Sequence, residues 1–173
     1  MIRFIRLTWL LSILILFNAT AGERILVVTE EWPPYNYTND NGEIVGSSTK
    51  RLRQVLDNLD IEYEIQMMSW TRAYKSARDN KNVLIYTIFQ EKSRLPHFQW
   101  ICPFIKTHGV GMFALAERDD IKLNSTEDAK NYILGAVNYG LTHDWLKQQG
   151  FVKGKHLDIA TDETINIKKL FAK

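Results

Sequence analysis

The chain has 173 residues, with 22 Lys and Arg against 20 Asp and Glu, and 45% of its residues are hydrophobic. This supplies enough apolar material for a compact core, while the near-even charge excludes a nucleic-acid binder with a basic stripe and a polybasic membrane-surface protein. A single cysteine, Cys102, excludes an internal disulfide, so the core alone must hold the fold.

Arg3 and Arg6, the apolar run Leu7 to Phe17 and then Asn18-Ala19-Thr20-Ala21 predict a secretory signal cleaved after Ala21. The run falls short of the roughly 20 residues that a membrane span needs. Removing residues 1–21 takes away two arginines and no acids, which leaves 20 basic against 20 acidic side chains. A neutral exported chain is expected to meet small molecules or proteins.

Ile25 to Thr29 is a short apolar run stopped by a polar pair and Pro33-Pro34, which predicts a buried strand leading into a loop. Asn39-Asp40-Asn41-Gly42 predicts a tight turn. Ser47 and Ser48 offer an N-cap for a helix whose apolar face is Leu52, Val55, Leu56 and Leu59. Ile61, Tyr63, Ile65 and Met67 alternate with Glu62, Glu64 and Gln66, so the following strand has one wetter face. Ser69 can cap a second helix through Trp70, Ala73, Tyr74 and Ala77, and Val83 to Ile88 predicts the third strand.

Strand, helix, strand, helix, strand makes a parallel α/β unit, whose ligands sit at the carboxyl ends of the strands. From Pro103 the character changes. Gly109 to Ala116 reads as a strand leaving this unit, followed by helix 125–131, strand 133–137, helix 141–149, strand 157–160 and helix 162–172. No closing strand follows, so the second unit is expected to be unfinished. Cys102, between Ile101 and Pro103, is expected as a packed thiol.

Three loops leave the carboxyl ends of the first three strands, at 30–37, 68–71 and 89–97, and they carry Trp32, Tyr35, Trp70 and Arg94. The planar fork of donors on Arg94 suits bidentate capture of a small carboxylate at a cleft lip, although a surface ion pair with Glu91 would explain it equally well. Trp32 and Tyr35 either cover the sheet end or stack on a ligand; Trp70 either packs beneath its helix or faces that ligand. Met67 and Met68 read as core filler.

Gly109-Val110-Gly111-Met112-Phe113-Ala114 fits a dinucleotide fingerprint in letters but lies in a β-branched and aromatic run that leads into no helix. His97, His108, His143 and His156 show no metal-ligand spacing and are expected to be solvated or capping. Glu30 and Glu31 are adjacent, point apart in an extended loop, and make a poor acid/base pair. No catalytic residue, metal site or cofactor is predicted.

Glu31-Trp32-Pro33-Pro34-Tyr35, Asn41-Gly42 to Gly46, Trp70 at the head of the second helix, the stretch Arg94 to Phe98-Gln99-Trp100 to Pro103, and Ile133-Leu134-Gly135-Ala136-Val137-Asn138-Tyr139-Gly140 occur in an order and spacing that resembles the bacterial extracellular solute-binding proteins of family 3. The resemblance implies a type II periplasmic-binding-protein-like fold: two α/β lobes joined by a hinge, with the second lobe incomplete. Residues 1–21 would be the signal, 22–105 the first lobe and 106–173 the second.

It further implies a periplasmic, monomeric protein that closes on a small polar, amino-acid-like solute and docks on the inner-membrane permease of an ABC importer. Arg94 would hold the solute carboxylate, Trp32 and Tyr35 would stack on its body, Trp70 and Thr87 would line the site, and the backbone at Tyr139 and Gly140 would donate from the second lobe. On this view Arg94→Ala abolishes carboxylate binding without changing the fold.

Departures accompany the likeness. Glu91-Lys92-Ser93 stand where such proteins usually carry Thr-Pro-Glu, Lys50 stands where an aspartate is usual, and the second-lobe carboxylate for an α-amino group is expected beyond Lys173. Two other functions are compatible with the fold: an enzyme such as a periplasmic dehydratase or a lytic-transglycosylase-associated lobe, and the ligand-sensing module of a signalling receptor.

Overall fold

The computed structural model describes residues 24–107 and 109–172; the predicted signal and His108 lie outside the described residues. Two parallel sheets organise the chain. In the first, β1 (Ile25–Thr29) lies between β4 (Tyr63–Met67) and β5 (Val83–Ile85), all parallel. A small antiparallel pair, β2 (Tyr37–Thr38) and β3 (Ile44–Val45), closes the turn in which Gly42 N donates to the Asn39 carbonyl. The second sheet pairs β6 (Leu134–Val137) with β7 (Leu157–Ala160), again parallel.

Why β1 is apolar throughout follows from what covers it. Val27 packs with Leu52 and Leu56 of α1 (Ser47–Asn58) and with Tyr86, while Val28 packs with Ala73 and Ala77 of α2 (Trp70–Asp79). A strand with a helix on each face has no wet side, so alternation disappears. β4 is an edge strand and keeps it: Glu64 and Gln66 are exposed, whereas Tyr63 and Ile65 pack on the α1 side. The second core gathers Ala129, Ala136, Leu146, Phe151 and Leu157 around β6, β7 and α3 (Leu141–Gln148).

Several expectations need correction. Residues 109–116 form no strand, because no neighbouring strand offers them a ladder; Phe113 is 86% exposed. Cys102 is exposed for the same reason, and Ile101 beside it is also 86% exposed. The helix expected at 125–131 is one 3₁₀ turn, Asp128–Asn131. β5 stops at Ile85 because Thr87 takes a positive φ of 62°, which a strand cannot continue through.

Val55 and Leu59 face solvent, so α1 buries only Leu52 and Leu56 among its large apolar residues. Gly46, not a serine, occupies the N-cap of α1, and Ser69 stands at the N-cap of α2 without a side-chain hydrogen bond. His143 and His156 are buried instead of solvated, with His156 Nδ1 accepting from Val152 N. The last helix, α4 (Glu163–Ala172), has no buried residue. Among the described residues no helix is long and apolar enough to cross a membrane.

Candidate solute-binding seam between the lobes

The carboxyl ends of both sheets face one another. From the first come Glu30 after β1, Trp70 at the start of α2 after β4, and Thr87 after β5; from the second come Asn138, Tyr139 and Gly140 after β6, and Thr161 to Glu163 after β7. Arg94 enters from the turn that precedes the 3₁₀ segment Leu95–His97, where its own N–H bonds to the Glu91 carbonyl.

Arg94 is the largest fully buried side chain, at 1% exposure. Nη1 donates to the Phe89 carbonyl at 3.1 Å, and Nη2 donates across the seam to the Tyr139 carbonyl at 2.6 Å. Asp144, on α3, lies 3.8 Å from Nη2. The guanidinium carbon is 5.5 Å from the ring centroids of both Trp70 and Tyr74, which are themselves 5.8 Å apart, so the cation rests against two adjoining aromatic rings. Burial draws the Arg94 pKa down from its ordinary value, and Asp144 is the strongest influence opposing that.

Around this cation the seam is aromatic. Tyr74 stacks on Tyr139 with centroids 5.2 Å apart and planes 16° apart, and the Arg78 guanidinium lies over both rings at 5.8 and 5.6 Å. Trp70, Tyr74 and Val137 form a buried cluster shared by the lobes. A cleft of about 460 Å³ opens beside it, lined by Tyr74, Arg78, Ser93, Tyr139, Asp144, Lys147 and Gln148. On the other side of the seam Glu30 is pushed up to about 8 by burial first, then by Glu163 and Asp162, with Arg94 acting in the opposite direction.

Among the described residues eight buried side-chain polar atoms find no hydrogen-bond partner, and three donors among them, Trp70 Nε1, Thr87 Oγ1 and Arg94 Nε, belong to residues of this seam. Buried polar atoms are normally satisfied, so a group of orphans at strand ends marks a place built for something else. Thr87 also holds a left-handed backbone that a β-branched residue avoids.

Residues 25–168 match the family of bacterial extracellular solute-binding proteins, family 3. The chain belongs to that family. No curated protein matches it in sequence. Among solved structures it is similar to a histidine kinase sensor domain with similarity to periplasmic binding proteins, at 17% identity and TM-score 0.66, over 87% of this chain and 64% of that one.

It is also similar to an ancestral arginine-binding protein bound to glutamine, at 16% identity and TM-score 0.64, over 86% and 65% of the two chains. An ancestral amino acid-binding protein, a precursor of cyclohexadienyl dehydratase, matches at 16% identity and TM-score 0.67, over 86% and 66%. At these identities the likeness establishes the type II periplasmic-binding-protein fold. The chain spans about two thirds of the length of these structures or slightly less.

Of the residues that the sequence singles out in this solute-binding protein, Trp70, Arg94 and Tyr139 converge at the seam, and Gly140 follows as the N-cap of α3. Thr87 lies at the same sheet end with its hydroxyl unpaired. Trp32 and Tyr35 pack edge-to-face at 5.2 Å, and Trp32 also meets Phe89, whose carbonyl accepts from Arg94.

Arg94 does not overhang a cleft lip: Nη1 and Nη2 are bonded to backbone carbonyls, while Nε is unpaired. It is enclosed, and Glu91 accepts from its backbone, not its guanidinium. Glu31 does point away from Glu30, accepting from Thr38 N at 3.1 Å. Glu30, Tyr74 and Asp144 were not foreseen as site residues. A carboxylate directly after the first apolar strand was the available signal for Glu30.

Proposed function

We propose that this protein is an exported solute receptor, which captures a small polar carboxylate of amino-acid type in the seam and presents it to an inner-membrane ABC permease. The observation that carries this is the set of unpaired buried donors, Arg94 Nε, Trp70 Nε1 and Thr87 Oγ1, at the carboxyl ends of the first sheet. Donors without acceptors, one of them on a cation, suit an anionic oxygen pair. On this reading the solute carboxylate takes Arg94, with Trp70 and Thr87 as further donors. Trp32 and Tyr35 flank the solute body, and the backbone at Tyr139 and Gly140 closes on it from the second lobe. Glu30 faces the same seam and, with its carboxyl raised to about 8, suits a hydrogen-bonding polar part of the solute. Capture of this kind needs no chemical step. Likeness to a histidine kinase sensor domain supports a second reading, in which the same capture feeds a signal instead of a permease.

Thermal-shift screening of the proteinogenic amino acids and simple carboxylates tests capture directly. At about 100 times the dissociation constant, a true ligand stabilises by roughly 2.7 kcal/mol. No shift with any of them defeats this function.

A further inference from the structure

We infer that Asn36 is a positioning residue of the seam: its side-chain amide ties the aromatic loop 30–36 to the end of β1, and so sets where Glu30 and Trp32 stand. The inference rests on the solute-binding reading above and adds the residue that orients one wall of that site.

Asn36 is fully buried, at 0% exposure. Its Nδ2 donates to the Glu30 carbonyl at 2.6 Å. Its backbone exchanges both bonds with Trp32: Trp32 N donates to the Asn36 carbonyl at 2.7 Å, and Asn36 N donates to the Trp32 carbonyl at 3.1 Å. The loop is thus closed on itself at Trp32 and pinned to the strand end through one amide. Its outer side is held separately by the first amides of α1, with Ser47 N donating to the Pro34 carbonyl at 3.1 Å and Ser48 N to the Tyr35 carbonyl at 2.9 Å. Those bonds fix the tip of the loop, whereas Asn36 fixes its root, where the seam residues are.

From that root the contacts lead to the buried cation. The Trp32 ring lies 5.7 Å from that of Phe89, whose carbonyl accepts from Arg94 Nη1 at 3.1 Å. The Glu30 side chain leaves the very residue whose carbonyl Asn36 holds, with Arg94 acting on its carboxyl from one side and Asp162 and Glu163, after β7, from the other. Turning the Glu30 peptide would redirect that carboxyl and carry Trp32 away from Phe89. A brace for the fold alone does not call for this side chain: Asn36 Oδ1 has no partner among the described residues, and a buried amide with half its capacity unused costs stability. The half that is used is the half that reaches Glu30. Local rules are broken in this way where a site needs it.

Two variants test the tie. Asn36→Ser stays polar but is one atom too short to span to the Glu30 carbonyl, and Asn36→Leu keeps the size and loses the donor. With the Glu30 carboxyl followed by NMR between about pH 4 and pH 9, its midpoint should fall by at least about one pH unit in both variants, because a released carboxyl regains water. Leu56→Ala loosens the core beneath α1 in the same lobe without touching the loop, and should leave the midpoint at its wild-type value. A midpoint unchanged in either folded Asn36 variant, or moved as far by Leu56→Ala, overturns the inference. So does a wild-type midpoint already in the ordinary carboxylate range.

Calorimetry with the best solute from the thermal screen then separates the tie from the function. The dissociation constant should rise at least about tenfold in Asn36→Ser and less than about twofold in Leu56→Ala. Variants that bind as tightly as the wild type would remove Asn36 from the site and defeat the inference. If the wild type binds none of the screened solutes while the Glu30 midpoint moves as expected, the solute-binding function fails and the positioning of Glu30 by Asn36 stands.

Discussion

Glu30 gives the seam a measurable energetic signature. Its carboxyl is raised from 4.5 to about 8, chiefly because burial penalises the charged form, and further because Glu163 and Asp162 lie nearby. An acid with a raised folded-state pKa binds its proton more tightly folded than unfolded. Its contribution to stability is therefore intact below about pH 4.5, is lost as pH rises through that range, and levels off above about 8. The gap, 8 minus 4.5, is about 3.5 pH units; at about 1.36 kcal/mol each it sets a ceiling of roughly 5 kcal/mol.

Glu30→Gln keeps the shape and removes the titration. Urea unfolding of both proteins between pH 4 and pH 9 isolates the effect, because groups that are not coupled to Glu30 cancel in the difference. The variant should gain on the wild type steadily from about pH 4.5, reach at most roughly 5 kcal/mol near pH 8, and gain no more beyond it. A difference that does not change with pH, or a wild type that is the more stable at pH 8, would refute the burial of this carboxyl and the acidic setting assigned to it.

Arg94→Ala should destabilise the fold by about 3 kcal/mol in urea unfolding, since it strands the Phe89 and Tyr139 carbonyls at a cost of about 1–3 kcal/mol each; the fold-neutral outcome expected from sequence does not fit a side chain 1% exposed. Gly46→Ala places a methyl 2.3 Å from the Tyr35 carbonyl at a φ of +119°, so it should cost at least about 2 kcal/mol and shift the fluorescence of Trp32 in the adjoining loop. Thr87→Gly relieves a left-handed β-branched residue and a buried unpaired hydroxyl. It should raise the urea midpoint by the equivalent of about 1 kcal/mol while weakening solute binding in calorimetry.

Where the chain's apolar pattern and its tertiary environment agree, the sequence was sufficient. Ile25–Thr29, a short apolar run, and Leu157–Ala160, in which exposed Asp158 interrupts the apolar residues, are strands to the residue. The stretch 109–116 has strand-like composition too, but a strand exists only where a neighbour pairs with it, and no local signal reports a neighbour. Topology located Arg94 and Trp70 because both follow strand ends, whereas Tyr139 came only from the family resemblance.

The remaining site residues were hidden by context. Tyr74 read as one more position on the buried face of a helix, Glu30 as half of a poor acid/base pair, and Asp144 was not singled out at all. Each acquires its role only when the second sheet is brought against the first.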